Sequence, residues 1–338
     1  MKTDFPPFTR RRFIAIGAAF AGMALLPSPG RAAGSGLGLR TWRGVALGAD
    51  ASIQLAHPDP AEADRLIRLC LDEVERLERL FSLYRPDSAL SRLNRAGVLD
   101  DPPGEMLRLL SDAVAFGRRT DGAFDVTVQP LWQLYAGHFG RRGADPMGPP
   151  EAAVAAARGL VDYRALEVET GRIAFARRGM AVTLNGIAQG YITDRVSDLL
   201  RAQGMDRVMV DLGEIRALGL HPDGRPWRVG IKDPFDGSRL SETVEIADRA
   251  MATSGGYGTG FDAAGRFTHL FDPATGHSAR QWAAVTVTAP DATTADALST
   301  ALSVLPPDRA AAVLNGFPGV TARLFPVSGA ASPAPLGG

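Results

Sequence analysis

Apolar residues repeat along the chain with the period of a helix in some segments and with the shorter period of a strand in others. The clearest helical segment has Leu66, Ile67, Cys70, Val74, Leu77 and Phe81 on one face. Helices are predicted over residues 61–81, 104–119, 190–203 and 293–305, and from residue 310. Strands are predicted over residues 41–56 (broken at Gly44 and Gly48), 126–128, 173–175, 180–184, 208–212, 227–231, 243–246, 267–271 and 284–289. Because strands and helices do not alternate regularly, the pattern favours an α+β fold.

The two ends of the chain are predicted to lie outside the folded domain, which then spans residues 34–326. Residues 9–14 read TRRRFI and precede an apolar stretch to residue 26, a pattern typical of a twin-arginine signal peptide ending near residue 33. The alternative is a basic tail on a cytosolic protein. The apolar stretch is too short to span a bilayer. Residues 327–338 are rich in Pro, Gly, Ala and Ser and are predicted to be disordered.

The amino-acid composition limits which types of function are plausible for this protein. The 338 residues are 45% apolar and 22% charged, which is enough to build a large core. Removing residues 1–33 takes away five basic residues and one acidic residue and leaves a net charge of −4, which argues against a nucleic-acid surface. Cys70 is the single cysteine and lies on an apolar helix face, so packing is its expected role. The five histidines have no zinc-type spacing, and no G-x-S-x-G motif is present.

A first candidate for chemistry is the segment TTADALST, residues 293–300. If the segment is helical, Asp296 and Thr300 lie one turn apart on the same face. A carboxylate and a hydroxyl at that spacing can reach one hard cation, which prefers oxygen ligands. The alternative is an ordinary helix in which the Thr300 hydroxyl bonds to the backbone.

Two further segments combine turn residues with polar groups. In TLNGIAQGY, residues 183–191, a predicted strand ends, two glycines follow and a helix begins. Such glycines allow close approach to a ligand, and a helix N-terminus favours phosphate, although a tight turn explains the pattern equally well. In FTHLFDPATGH, residues 267–277, two histidines flank an Asp-Pro-Ala-Thr-Gly turn that either carries a site or is simply good turn chemistry.

Six segments taken together, in order, resemble the ApbE family, the FAD:protein FMN transferases. They read FSLYRPDSALSRLN, DGAFDVTVQPL, LNGIAQGYITD, MATSGGYG, HLFDPATG and ADALSTAL, and the resemblance runs from about residue 42 to residue 316. It implies a T-fold-like α+β architecture of mixed sheets with packed helices. It also implies an enzyme that binds FAD as substrate and Mg²⁺ as cofactor, transfers FMN to a threonine of a partner flavoprotein, and releases AMP.

The resemblance also implies roles for individual residues. The Mg²⁺ ligands would be the backbone carbonyl of Gly186 and the side chains of Asp296 and Thr300. His269 would act as general base or contact a phosphate, and Asp272 would shape the turn, orient His269 or assist the metal. Contacts with FAD are expected from Tyr84, Ala123, Phe124, Asp125, Thr183, Gln189 and Phe271. From the residues alone, Phe124 could equally be core, Asp125 a turn cap, and Tyr84 a cover for the core edge.

Three departures from the family pattern leave other functions open. Thr183 stands where the family usually has Asp, Gln189 where it often has Lys, and VDLGEI (residues 210–215) has one glycine where two are expected, which should bring Glu214 close to the site. A non-catalytic FAD-binding protein and a Mg²⁺-dependent FAD pyrophosphatase are the alternatives. For a transferase, we expect a periplasmic location and an acceptor in a membrane electron-transport complex.

Overall fold

A computed structural model describes residues 23–25, 38–258, 260–262, 264–328 and 335–337. Eight α-helices lie within these residues: α1 (Pro60–Phe81), α2 (Ala89–Ala96), α3 (Gly104–Arg119), α4 (Gln129–Phe139), α5 (Glu151–Arg158), α6 (Ala188–Ala202), α7 (Ala292–Leu302) and α8 (Pro307–Leu314). Each of the predicted helices is present, with ends that differ by three residues or fewer.

The strands of the described residues form three antiparallel sheets. They are β1 (Met23–Leu25), β2 (Gly38–Ala46), β3 (Ala49–His57), β4 (Val98–Asp100), β5 (Leu166–Glu169), β6 (Arg172–Phe175), β7 (Val208–Asp211), β8 (Ile215–Leu218), β9 (Trp227–Lys232), β10 (Leu240–Ile246), β11 (Ala250–Gly255), β12 (Trp282–Ala289), β13 (Thr321–Pro326) and β14 (Leu336–Gly337). The largest sheet has eight strands in the order β14-β13-β12-β11-β8-β7-β3-β2. The small sheets have the orders β1-β9-β10 and β4-β6-β5. The predicted α+β class is confirmed.

The core lies on both faces of the large sheet. Helices α1, α6 and α7 cover one face, where the apolar stripe of α1 is buried against β2, β3 and α6. Cys70 belongs to this stripe, and burial raises the pKa of its thiol to about 12, in keeping with a packing role. The opposite face packs on β9 and β10 through a smaller cluster that includes Trp227 and Met251. A third cluster of aromatic residues joins α4 to the segment Phe267–Phe271.

The strand predicted over residues 41–56, with breaks at Gly44 and Gly48, is the hairpin β2–β3: the chain turns at Gly48 as predicted, whereas Gly44 lies within β2. Leu47 and Gly48 have φ angles of 53° and 80°, and Ala46 pairs with Ala49 across them. A two-residue turn with positive φ at both positions matches the right-handed twist of the strands that it joins. The hairpin forms one edge of the large sheet.

Three other predicted strands are wrong for a shared reason: side chains take the backbone hydrogen bonds that a neighbouring strand would take. Residues 126–128 form a 3₁₀ turn because Asp125 accepts from the backbone N–H of Thr127. Near residues 180–184, the Asn94 amide donates to the carbonyl of Val182 and accepts from its N–H. Near residues 267–271, the Ser278 hydroxyl does the same for Thr268.

The two ends of the chain also differ in part from expectation. Most of the predicted signal segment 1–33 lies outside the described residues, and Met23–Leu25 pairs with β9. Leu336–Gly337, within the segment predicted to be disordered, pairs with β13. Among the described residues, no helix is long and apolar enough to cross a membrane.

Candidate active site

A cleft opens where four parts of the chain meet: the 3₁₀ turn after α3, the loop before α6, the segment 269–273, and the C-terminal half of α7. It encloses about 760 Å³, part of it open to solvent. Seven of the predicted site residues line it: Ala123, Asp125, Thr183, Gly186, His269, Phe271 and Thr300. The fold therefore brings residues nearly 180 positions apart in the sequence into one cavity.

A second cleft of about 830 Å³ adjoins the first, and Trp132 and Asn185 line both. Tyr84 lies in this second cleft. Burial of the phenol raises the pKa of Tyr84, and a hydrogen bond with the Asn185 side chain partly offsets the shift. Sequence reasoning missed Trp132 and Asn185, because a single aromatic residue on a short helix and an asparagine in a turn carry no periodic signal.

Two of the residues predicted to contact FAD lie outside the cleft lining. Phe124 is 3% exposed and packs edge-on against Phe116, so the core alternative is the one that its position supports. The Gln189 amide instead donates to the backbone carbonyl of Leu212 at 3.3 Å. Gln189 thus supports the turn between β7 and β8.

Asp125 lines the cleft and also holds its wall together. Its carboxylate is buried and accepts hydrogen bonds from the Thr127 N–H at 2.8 Å, the Thr127 hydroxyl at 2.6 Å and the Tyr163 N–H at 2.9 Å. Burial raises the pKa of Asp125, and these hydrogen bonds offset part of the shift. The alternative role of a turn cap is confirmed.

The two histidines of the Asp-Pro-Ala-Thr-Gly turn differ in environment. His269 is partly buried and lines the cleft. His277 lies 3.3 Å from the Tyr135 hydroxyl and 3.4 Å from Glu151, away from the cleft lining. Asp272 accepts from the backbone N–H of Ala274 at 2.9 Å and from the Thr275 hydroxyl at 3.0 Å, which are the bonds that close the turn.

Helix α7 carries both of the predicted side-chain metal ligands, and it is held against α6 at very short range. A side chain on Gly190 would place its Cβ 2.3 Å from the Ala292 carbonyl oxygen and 2.8 Å from the Asp296 Cβ. Only glycine allows this approach, which lets the Gly190 N–H donate to Asp296 Oδ2 at 3.0 Å. Helix α6 therefore fixes the position of Asp296 and Thr300 on α7, which the spacing of these two residues in the sequence could not reveal.

A buried aspartate on α6 holds the start of α7. Asp194 accepts from the backbone N–H groups of Ala292 and Thr293, both at 2.8 Å, and from Arg216 at 2.6 Å. Burial raises the pKa of Asp194, and the Arg216 charge is the largest of the effects that lower it. The ion pair ties α6 and α7 to β8. Sequence reasoning missed it, since its partners are far apart in the chain.

Asp296 is fully buried, and its Oδ1 has no hydrogen-bond partner. Burial raises the pKa of Asp296 to about 7, the Gly190 N–H lowers it, and the Asp194 charge raises it further. A buried carboxylate oxygen without a donor is costly unless a cation or a proton neutralises it. Asp296 is therefore suited to hold a cation.

The other two predicted ligands lie close to each other. A Cβ on Gly186 would stand 2.8 Å from the Thr300 hydroxyl oxygen, and the Ser254 hydroxyl lies 3.3 Å from the same oxygen. In the described part of the chain, no group of three or more His, Cys, Asp or Glu residues is placed to hold a metal. A cation here would need hydroxyl and carbonyl oxygens beside the carboxylate, a donor set that fits Mg²⁺.

The shortened glycine motif predicts that Glu214 lies close to the site, and its carboxylate is near enough to Asp296 for the two charges to interact. Glu214 is fully buried, and neither carboxylate oxygen has a hydrogen-bond partner. Burial raises its pKa well above the ordinary value, and the charges of Asp296 and Asp211 raise it further. The Thr253 backbone lowers the pKa of Glu214, although its distance and angle to the carboxylate do not meet the criteria for a hydrogen bond. Burial, followed by the Glu214 charge, raises the pKa of nearby Tyr257 to about 12.

Comparison with known proteins gives a consistent result. Residues 47–324 match the model of the ApbE family. The chain is 35% identical to a FAD:protein FMN transferase of Vibrio cholerae over 75% of each chain. It is 30% identical to a FAD:protein FMN transferase of Escherichia coli K12 over 91% of this chain and 90% of the relative. The fold superposes on the crystal structure of the Pseudomonas stutzeri flavinyl transferase ApbE with a TM-score of 0.72 and 29% identity, covering 85% of this chain and 91% of that chain.

The family match covers most of the chain, and both relatives are similar to it over two thirds of its length or more. The two clefts, the α6–α7 contact and the Asp-Pro-Ala-Thr-Gly turn all lie within the matched residues. The protein belongs to the ApbE family.

Proposed function

We propose that this protein transfers the FMN part of FAD to a threonine of a partner flavoprotein, releases AMP, and requires Mg²⁺. One observation carries the proposal: the cleft contains His269 and Thr300, and one turn away on α7 Asp296 is a buried carboxylate with a bare oxygen. The two relatives described above, both named FAD:protein FMN transferase, support the same reaction.

The reaction balances as a single displacement at phosphorus. The threonine oxygen forms a bond to the phosphorus of the FMN half, and the bond between that phosphorus and the bridging oxygen breaks. AMP leaves with the bridging oxygen, and the threonine proton passes to a base. His269 is the candidate base, since its imidazole lies in the cleft and imidazoles take up protons near neutral pH.

The cation would be held by the Gly186 carbonyl, the Thr300 hydroxyl and the Asp296 carboxylate. When bound, Mg²⁺ neutralises the negative charge that develops on the phosphate oxygens. The Gly190 N–H keeps Asp296 Oδ2 occupied and leaves Oδ1 available. The short α6–α7 distance fixes where that oxygen points, which is the positioning that phosphoryl transfer requires.

The remaining lining residues would orient FAD. Phe271, Ala123 and Thr183 form walls of the first cleft, and Tyr84 with Trp132 offers aromatic surface in the second. Because the two clefts adjoin, one extended dinucleotide can lie across both. The Asp125 hydrogen bonds keep the wall of the first cleft rigid.

We further propose that the acceptor faces the periplasm and belongs to a membrane electron-transport complex. The TRRRFI motif and the apolar residues after it support export by the twin-arginine route. That route carries folded proteins, so the enzyme would leave the cytoplasm with its active site assembled.

The test is to mix the mature protein with FAD, Mg²⁺ and an acceptor domain that carries the target threonine. Mass spectrometry of the acceptor should show the mass increase of an FMN phosphoester, and chromatography should show an equal amount of AMP. The Asp296→Asn variant should abolish both products. Glu242→Gln is the matched control, because Glu242 pairs with Arg323 on the surface.

Two outcomes would contradict the proposal. Free FMN and AMP without any acceptor modification would identify a FAD pyrophosphatase, with water in place of the threonine hydroxyl. Bound FAD that survives addition of Mg²⁺, with no product of either kind, would identify a FAD-binding protein without transferase activity.

A further inference from the structure

Glu214 is the most unusual buried group of the described residues that the proposed mechanism does not use. It follows Gly213 in the turn between β7 and β8, and its side chain is completely buried. The turn is fixed from two sides, since Asp211 accepts from the Gly213 N–H at 3.1 Å and the Gln189 amide donates to Leu212. The position of Glu214 is therefore built into the fold.

The surroundings of Glu214 contain bare carboxylate oxygens. Both oxygens of Glu214 and Oδ1 of Asp296 are buried and have no hydrogen-bond partner. The nearest arginine along the strand, Arg216, is already paired with Asp194 at 2.6 Å and with Asp198 at 3.4 Å. Both residues contact one face of α6, since the Gly190 N–H donates to Asp296 Oδ2 at 3.0 Å and the Thr193 hydroxyl donates to the Glu214 carbonyl at 3.3 Å. Two carboxylates in one dry region repel each other, and a cation bound between them removes that repulsion.

The two residues reach this place from independent elements. Asp296 comes from α7, and Glu214 comes from the turn at the end of β7. The hydrogen bond from Gly190 uses only Asp296 Oδ2 and leaves Oδ1 without a partner. Among the described residues, no hydrogen bond accounts for the burial of the Glu214 carboxylate. The three bare oxygens are thus available to one ligand, and a hard divalent cation is the ligand that prefers them.

We propose that Glu214 is an additional protein group of the divalent-cation site and acts on the ion together with Asp296. This inference rests on the proposed function, because it concerns the same cation. Two carboxylates balance the charge of a divalent ion. The cation therefore binds before FAD arrives, and it does not need the pyrophosphate to complete its charge balance.

The test measures binding of Mn²⁺, as a probe for the site, to the metal-free mature protein without FAD. Electron paramagnetic resonance of the free ion gives the Kd. We expect one Mn²⁺ per chain in the wild type and about a 10-fold to 100-fold weaker Kd in Glu214→Gln, the range found when groups that support a metal site are removed. Glutamine keeps the size of the side chain and removes its charge.

Asp211→Asn is the matched control, because Asp211 belongs to the same turn and its charge also acts on Glu214. Its Oδ1 already has a partner in Gly213, so this variant should bind Mn²⁺ within about threefold of the wild-type Kd, as expected for a charge outside the coordination shell. Melting temperature gives a second readout: metal-free Glu214→Gln should melt higher than the wild type, and Mg²⁺ should raise it less.

Equal Mn²⁺ affinity in the wild type and Glu214→Gln would overturn the inference, as would a wild type that binds no Mn²⁺ without FAD. A similar loss in Asp211→Asn and Glu214→Gln would also overturn it, because general electrostatics would then explain the effect. The acceptor mass assay separates the two proposals. If the acceptor gains FMN while Glu214→Gln binds Mn²⁺ normally, only the role of Glu214 fails.

Discussion

Replacing Asp296 by Asn should have opposite effects on the stability of the metal-free protein and on transfer activity. The wild-type carboxylate is fully buried, and its pKa rises from 3.8 to about 7 on folding. A carboxyl with a raised pKa binds a proton more tightly in the folded state than in the unfolded state. The free energy of unfolding of the metal-free protein therefore falls as pH rises from about 4 to about 7.

The size of the effect follows from the shift. A change from 3.8 to about 7 corresponds to ~4 kcal/mol of lost stability at pH 8, since each pKa unit is worth about 1.4 kcal/mol. Asparagine cannot ionise, but its side-chain oxygen can still accept from the Gly190 N–H. The variant should therefore equal the wild type near pH 4 and exceed it at pH 8, with a melting temperature roughly 8 °C higher at most.

The assay is thermal unfolding of both proteins in EDTA at several pH values, followed by the same measurement in Mg²⁺. Mg²⁺ should raise the melting temperature of the wild type at pH 8 and leave Asp296→Asn unchanged, and the variant should lose FMN transfer. A variant that is less stable at every pH, or a difference that does not change with pH, would refute the reasoning. Either result would mean that Asp296 has a donor and is not a bare buried charge.

Three further substitutions test other parts of the site. Gly190→Ala should destabilise the fold by about 1–3 kcal/mol in urea unfolding and weaken Mg²⁺-dependent stabilisation, because the added methyl would overlap the Ala292 carbonyl; unchanged stability would contradict the close helix contact. Thr300→Val should alter stability by less than about 1.5 kcal/mol yet slow FMN transfer about 10-fold to 100-fold in the mass assay, and unchanged transfer would remove the hydroxyl from the proposed ligand set. Asp125→Ala should cost about 2–3 kcal/mol of unfolding free energy, because the buried Tyr163 N–H loses its acceptor, and a smaller loss would show that water replaces it.

Five of the eight helices in the described residues were predicted from the sequence, because their information is local, whereas α2, α4 and α5 were not predicted. The apolar stripes of α1 and α3 follow from a 3.6-residue period. The pairing of Asp296 with Thr300 on one face follows from the same geometry. The blocks of the family resemblance added the identity of the cleft residues, and seven of them line one cavity.

Strands were predicted less well, since a strand is defined by its partner. Residues near Val182 and Thr268 have strand-like composition, but the side chains of Asn94 and Ser278 take their backbone hydrogen bonds. Whether a side chain replaces a neighbouring strand as the hydrogen-bond partner depends on which residues the fold places beside the segment. The local pattern of apolar and polar positions does not specify those neighbours.

By itself, the sequence determined five of the helices, the α+β class, the order of the motifs and the spacing of two oxygen donors on one helix. Only the tertiary structure decided that Gly190 lies against Asp296, that Gln189 and Phe124 lie outside the cleft lining, and that Glu214 is buried without a hydrogen bond. The physical reason is that burial and electrostatic coupling depend on distances between residues far apart in the chain. Spacing along the chain fixes distances only within one helix or one turn.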